Sequence, residues 1–313
     1  MEIVHNENYF DSASSIEGAK IYFQSWAPKD KNEVKAIMLV CHGMAEHTDR
    51  YVGFGEYFAE NGFAVFANDH IGHGKSLVSE DDLGYFGNNN ENGDVFVADM
   101  YSLQQEAVKQ YPSKPVFFFG HSMGSFIARR YASVHGEDLA GAIFCGTAGT
   151  NPAISVAKKM ADTVIAKKGE RYKSSAINAM SFAGNNAKTQ KRTDFDWLTR
   201  DDAVVDKYIA DPKCGFMFTA KGYKDMFTLL DKISSSDTYD ATPTALPIFI
   251  ISGTMDPVGS YGKGPLEVAG KYAMSGHLTT VKLYKDGRHE IHNELHKDET
   301  YADVLRFMNK NVG

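Results

Sequence analysis

Cysteine is scarce in this chain of 313 residues: Cys41, Cys145 and Cys214 are the only three, widely spaced and odd in number. A disulfide framework is therefore not expected. Cys41 and Cys145 close strongly apolar runs, where cysteine behaves as a small hydrophobe. No run approaches the roughly 18 to 20 apolar residues that cross a bilayer, and "MEIVHNENYFDSAS" lacks a basic segment leading into an apolar one. Neither a membrane span nor a secretory leader is expected, and a soluble, cytoplasmic protein is the reading that follows. A surplus of basic residues is missing too, since the formal net charge is -7. Phosphate binding needs clustered Lys and Arg in excess, so nucleic acid is not expected as a partner. No fixed-period repeat and no low-complexity tract interrupts the chain.

What is present is an ordinary globular composition, 43% apolar and 23% charged, at a length that suits one large α/β unit with an insertion. Short continuous apolar runs at 34–41, 62–69, 115–120, 139–146, 247–253 and 280–286 read as buried strands. Helical spacing of apolar residues fills 51–62 and 95–112, and an amphipathic stretch closes the chain at 301–312. Strands alternating with helices predict a mainly parallel sheet covered on both faces. The opening segment alternates and carries turn residues, which predicts an antiparallel hairpin at one sheet edge. After residue 150 the alternation stops. Residues 151–240 read as a helical insertion, or cap, between two parts of the core at 1–150 and 241–313.

One apolar run ends in "GHSMG", Gly120 to Gly124, and a small-residue amphipathic stretch follows it. This matches the G-x-S-x-G elbow, in which a strained strand-to-helix turn lifts a serine above the sheet and the glycines avoid collisions with neighbouring backbone. Such a hydroxyl needs a base, a group to orient the base, and donors for the developing oxyanion. Asp256, just past the 247–253 strand in "GTMDPV", is placed to orient the base. Asp231, Asp237 and Asp240 all precede that strand. Three histidines, His289, His292 and His296, follow the last strand, and His289 stands in the short loop behind the turn formers Asp286 and Gly287. The order Ser122, Asp256, His289 is the one this elbow predicts. The segment "HNELH" lacks the glutamate that follows the first histidine of a zinc-binding H-E-x-x-H helix, and "DHIGHG" has no recognised ligand spacing. No catalytic metal and no cofactor is expected.

Two backbone amides should meet the oxyanion: that of Met123, after the serine, and that of Met44, after His42-Gly43 at the end of an earlier strand. The assembled stretches resemble the monoacylglycerol lipase and lysophospholipase-like branch of the α/β-hydrolases, related to serine aminopeptidases. "HGMAEHTDRY", from His42 to Tyr51, is similar to that branch's H-G-x-x-E-H-x-x-R-Y segment, and "DHIGHGKS", from Asp69 to Ser76, to its D-x-x-G-H-G-x-S loop. The resemblance spans nearly the whole chain. It implies an α/β-hydrolase fold with a helical cap, a triad of Ser122, Asp256 and His289, an oxyanion hole of Met44 and Met123, and hydrolysis of small acyl esters of lipid type. An aminopeptidase or amidase on the same scaffold, and a ligand-binding homologue without turnover, are the alternatives.

The cap opens with an unusual charge balance. Between Ile154 and Arg192 stand nine Lys or Arg (158, 159, 167, 168, 171, 173, 188, 191 and 192) against Asp162 and Glu170. Ile154, Met160, Val164 and Ile165 add apolar residues at helical spacing. An amphipathic lid that touches anionic lipid or an acidic substrate is one reading; a solvated helix whose stripe packs on the core is the other. Phe182, Trp197, Phe216, Met217, Phe218, Tyr223 and Met226 suit either an apolar pocket or simple core.

Overall fold

The computed structural model describes residues 2–313. Its centre is an eight-stranded sheet: β1 (Ile3–Asp11), β2 (Lys20–Pro28), β3 (Ala36–Cys41), β4 (Phe63–Asn68), β5 (Val116–His121), β6 (Gly141–Cys145), β7 (Ile248–Gly253) and β8 (Thr279–Tyr284), in the spatial order β1-β2-β4-β3-β5-β6-β7-β8. The first two strands form the expected antiparallel hairpin at one edge, β2 pairs antiparallel with β4, and every other pairing is parallel.

The parallel strands are apolar throughout because both faces are covered. In β3, Ile37, Leu39 and Cys41 face the core under α2 (Asp94–Gln110), α3 (Met123–His135) and α9 (Lys263–Met274). Ala36, Met38 and Val40 face the core under α1 (Val52–Glu60) and α10 (Lys297–Lys310). A period-2 strand between two helical layers buries every side chain, so its sequence reads as an unbroken run. The final helix begins at Lys297, ahead of its apolar signature, with Asp298 and Glu299 in the first turn where they favour the helix dipole.

Between β6 and β7 lie α4 (Ile154–Lys168), α5 (Ser175–Ser181), α6 (Asp202–Ala210), α7 (Ala220–Ser234) and α8 (Ser236–Ala241). In α4, Ile154, Ala157 and Ala161 recur at helical spacing and are buried, while Met160 and Val164 pack half-buried on the same core. The apolar stripe of α4 therefore turns inward, and Lys159, Lys167 and Lys168 lie on its exposed side. No helix among the described residues is long and apolar enough to cross a membrane.

Candidate active site

Parallel strands deliver their carboxyl ends to one edge of the sheet, and the proposed reacting groups all come from there. Ser122 joins β5 directly to α3 with φ 53° and ψ -120°, a positive-φ backbone that a residue with a side chain rarely adopts. The surroundings hold it: its N–H donates to the Cys145 carbonyl at 2.9 Å. A Cβ on Gly120 would stand 2.2 Å from the Gly124 carbonyl oxygen, and one on Gly124 would stand 2.0 Å from that of Cys41. Glycine at both positions lets helix and strands approach closely enough to force the serine outward.

Past β7, Asp256 is fully buried. One carboxylate oxygen, Oδ1, accepts from His289 Nδ1 at 2.9 Å and from the Val258 amide at 2.9 Å; Oδ2 accepts from Ser252 Oγ at 3.0 Å. Burial alone would raise the Asp256 pKa, but the charge and hydrogen bond of His289, with the Ser252 bond, hold it below the usual carboxylate value. His289 is the mirror case. Burial would lower it, and Asp256, helped by Glu290 and Glu46, holds it above the ordinary imidazole value. With Nδ1–H committed to Asp256, Nε2 is left as the basic nitrogen; it is buried and makes no hydrogen bond. His289 and Ser122 line the same cleft, and the Trp197 ring lies 5.0 Å from the imidazole.

The loop after β3 supplies the opposite wall. The Gly43 amide donates to Glu46 Oε1 at 2.5 Å and the Ala45 amide to His73 Nε2 at 3.3 Å. The Met44 amide between them has no acceptor among the described residues, and Met44 and Met123 both line the cleft. Burial, then the neighbouring His70, drives the His73 pKa down to about 3, so this ring is a neutral acceptor. His42 and His70 are likewise buried and neutral, the first lowered by burial and by the other two rings, the second to about 4 by burial. His42 Nε2 accepts the His70 amide at 3.0 Å, so the DHIGHG loop braces the loop carrying Met44.

Beneath these loops runs a charged network that the sequence did not single out for a role. Glu46 accepts from Tyr51 Oη at 3.0 Å, lies 3.3 Å from His121 Nδ1, and pairs with Arg50. Arg50 in turn donates twice to Glu290, at 2.8 and 2.6 Å. Glu46 sits in the loop after β3, His121 beside the serine and Glu290 beside the histidine, so the guanidinium ties the first and last of these loops directly and the His121 end through Glu46. Burial opposes both charges, yet Arg50 keeps Glu46 well below the carboxylate range, and the two glutamates keep Arg50 well above its own. His292 stacks on Tyr51 with ring centroids 5.1 Å apart, while His296 Nδ1 faces Arg200 at 2.7 Å. The two histidines of "HNELH" thus serve different neighbours. Asp231 pairs with Lys158 and Asp240 with Ser275, away from the cleft.

The helical insertion is joined to the loops of the site by hydrogen bonds, most of them from backbone to backbone. The His289 and Glu290 amides donate to the Trp197 and Leu198 carbonyls at 3.3 and 2.7 Å, and the Ala45 carbonyl accepts from the Gly215 amide at 2.9 Å and Tyr208 Oη at 3.1 Å. The cleft has a volume of about 1230 Å³. Phe182, Trp197, Phe216 and Met226 line it, whereas Phe218 and Tyr223 are buried in the core and Met217 packs half-buried against it. A smaller cleft of about 630 Å³ lies at the other end of β7 and β8, beside Pro247 and Leu278.

Comparison with known proteins gives a consistent picture. The family model described as serine aminopeptidase S33, Hydrolase_4, matches residues 32–296. A thermostable carboxyl esterase from Bacillus coagulans, solved in complex with glycerol, is 30% identical, superposes with a TM-score of 0.92 and covers 99% of each chain. The monoglyceride lipase of Rattus norvegicus is 28% identical over 94% of this chain and 87% of its own length. The monoacylglycerol lipase of Mycolicibacterium smegmatis is 24% identical over 95% of each. With the serine elbow, the mainly parallel sheet and a family match over most of its length, the chain belongs to the Hydrolase_4, serine aminopeptidase S33, family of α/β-hydrolases.

Proposed function

We propose that this protein is a serine hydrolase that cleaves carboxyl esters of lipid-like substrates, of monoacylglycerol or lysophospholipid type, with Ser122, Asp256 and His289 as its triad and the Met44 and Met123 amides as its oxyanion hole. The observation that carries this reading is the meeting, in one cleft, of a serine held at positive φ and an imidazole whose far nitrogen is fixed by a buried carboxylate. His289 Nε2 takes the Ser122 proton as Oγ attacks the acyl carbonyl, and the amides hold the oxyanion. The alcohol leaves with the proton from His289. Water, activated by the same nitrogen, then releases the acid and restores the serine. The Nε2 to Oγ bond closes as substrate seats, since such contacts are often long in the free enzyme.

The cleft exceeds the roughly 300–1,000 Å³ of a typical small-ligand pocket, and its aromatic and Met lining suits an acyl chain. The carboxylates around it argue against an aminopeptidase. Glu46 and Glu290 share Arg50, and Glu267 pairs with Lys271, which leaves only the exposed Asp194 to meet a substrate's amine. The test is a fluorophosphonate probe followed by parallel assay of glycerides, lysolipids, short p-nitrophenyl esters and amino-acid anilides. Labelling at Ser122, lost in Ser122→Ala, with esters turned over far faster than anilides, is the expected result. Faster anilide cleavage, or labelling elsewhere, would refute the reading.

Contact of the cap with anionic lipid is a further part of the proposal. Lys159, Lys167, Lys168 and Lys173 are exposed and lie in no ion pair among the described residues, and each cation near such a surface contributes on the order of 1 kcal/mol. Co-sedimentation with anionic but not neutral vesicles is expected; equal partitioning would remove the electrostatic attraction.

A further inference from the structure

Where the cap meets the oxyanion-side loop, three side chains of different chemistry converge outside the reaction site. We propose that His47, Asp211 and Cys214 form a binding site for a borderline divalent metal ion of the zinc class, which would clip the cap to that loop. One donor atom from each residue lies within 4.8 Å of the other two.

The histidine carries the reasoning. Its Nε2 lies 2.8 Å from Asp211 Oδ2, and its Nδ1 lies 3.6 Å from Asp49 Oδ2. The Asp211 contact is a hydrogen bond, and the Asp49 contact is too long to be one. An ion placed between the ring and Asp211 would take the Nε2 lone pair and Asp211 Oδ2, and the ring N–H would then be on Nδ1, which faces Asp49. That is the usual arrangement around a metal-bound histidine, whose other nitrogen is oriented by a carboxylate.

Cys214 is what the histidine–carboxylate hydrogen bond leaves unexplained. It follows Asp211 in a tight turn after α6, in which the Cys214 amide donates to the Asp211 carbonyl at 3.0 Å and the Lys213 amide to Asp211 Oδ1 at 2.8 Å. That turn brings a half-buried thiol, with no hydrogen bond of its own among the described residues, to the histidine and carboxylate. A histidine–carboxylate hydrogen bond has no use for the sulfur; a zinc-class ion does. Nitrogen, oxygen and sulfur donors together suit such an ion and not Mg²⁺ or Ca²⁺. Ligand lengths of about 2.0 to 2.3 Å imply donor separations of roughly 3.3 to 3.7 Å in a tetrahedron, within reach of side-chain rotation here. Asp211 is 32% exposed, which gives an entry path and leaves a fourth position for water.

Burial raises the Cys214 pKa, against the pull of Arg50, so the free residue is a thiol. On binding, the S–H bond breaks, its proton goes to solvent, and a sulfur–metal bond forms. The clip would act where the Gly215 amide and Tyr208 hydroxyl already hold the carbonyl of Ala45, the residue after Met44.

The experiment uses the full chain carrying Ser122→Ala, so that its outcome is independent of ester hydrolysis. The protein, stripped with chelator, is titrated with Cd²⁺ while thiolate-to-metal absorption is followed in the ultraviolet, and with Zn²⁺ in competition with a chromogenic chelator. One equivalent of Cd²⁺ should develop the band, and Cys214→Ser should abolish it without lowering the melting temperature of the metal-free protein. Zn²⁺ affinity should fall by at least about tenfold in Cys214→Ser and Asp211→Asn, and about tenfold in Asp49→Asn, as loss of an orienting partner does elsewhere. Absence of stoichiometric binding, a Cd²⁺ band that persists in Cys214→Ser, or Zn²⁺ affinity unchanged in Asp211→Asn would each overturn the proposal.

Discussion

The molecule holds two sets of ion pairs built from the same chemical groups in opposite surroundings. Beneath the cleft, Glu46 and Glu290 are each 2% exposed and Arg50 11%. On the cap, Lys158 with Asp231 and Lys224 with Asp162 stand at 28% and 58%, and at 37% and 52%. Water and salt screen the outer pairs and replace either partner cheaply. Nothing replaces Arg50. It lies among groups that have surrendered hydration, and losing it leaves two buried carboxylates without the cation they share, with the donors from Gly43, Tyr51 and Asn293 left to offset their charge. Burial thus converts a common surface contact into a fixed joint between the loops that carry Ser122, His289 and Met44.

The largest effect should come from the other buried pair. Asp256→Asn keeps the shape and removes the charge; where such a triad has been measured the same change costs on the order of 10⁴ in kcat. It should also move the acid limb of kcat/KM. His289 must be neutral to act as base, and Asp256 raises its pKa, so the wild-type limb lies above the ordinary imidazole value. With the charge gone, burial is left to depress the pKa and the limb moves to lower pH. A limb that stays in place would mean that another group governs it.

A smaller but still large effect is expected from Arg50→Met. Breaking a buried pair by removing one partner costs about 3–5 kcal/mol, measured as a fall in the denaturant midpoint. Adding Glu46→Gln and Glu290→Gln to that variant should recover part of the loss. If Arg50→Met is as stable as the parent, the network is not the joint described above. Smallest of all is Lys158→Ala, with a cost of about 0–1 kcal/mol that shrinks as salt is added. A loss as large as that of Arg50→Met would erase the contrast between the two regions.

Much of this architecture was legible in the sequence because it rests on local patterns. Strands between two helical layers are apolar at every position, as Ile37 to Val40 are. The serine elbow needs glycine where Gly120 and Gly124 stand, and the order Ser122, Asp256, His289 follows from which strand ends reach the same sheet edge. The Arg50–Glu290 pair spans 240 residues, and no local pattern announces it. The bonds from Trp197 and Leu198 to the histidine loop involve backbone, which carries no sequence signature. Nor could composition tell that Phe216 would line the cleft while Phe218, two residues on, would pack in the core. Both are aromatic residues of one segment, and only the path of the chain separates them. The +7 excess at the start of the cap was plain, but the partners of Lys158 and Arg171, Asp231 and Asp82, lie outside that stretch.

The central claim is that Ser122 and His289 work as one unit although they stand 167 positions apart in the sequence. Its most direct test is the set Ser122→Ala, His289→Ala and the double variant, assayed on one ester. In a unit of this kind either single loss removes nearly all the catalysis the group provides, up to about 2 × 10⁶ in kcat, and the second substitution adds little. A double variant no slower than either single one is the predicted result; two independent losses that multiply would contradict it.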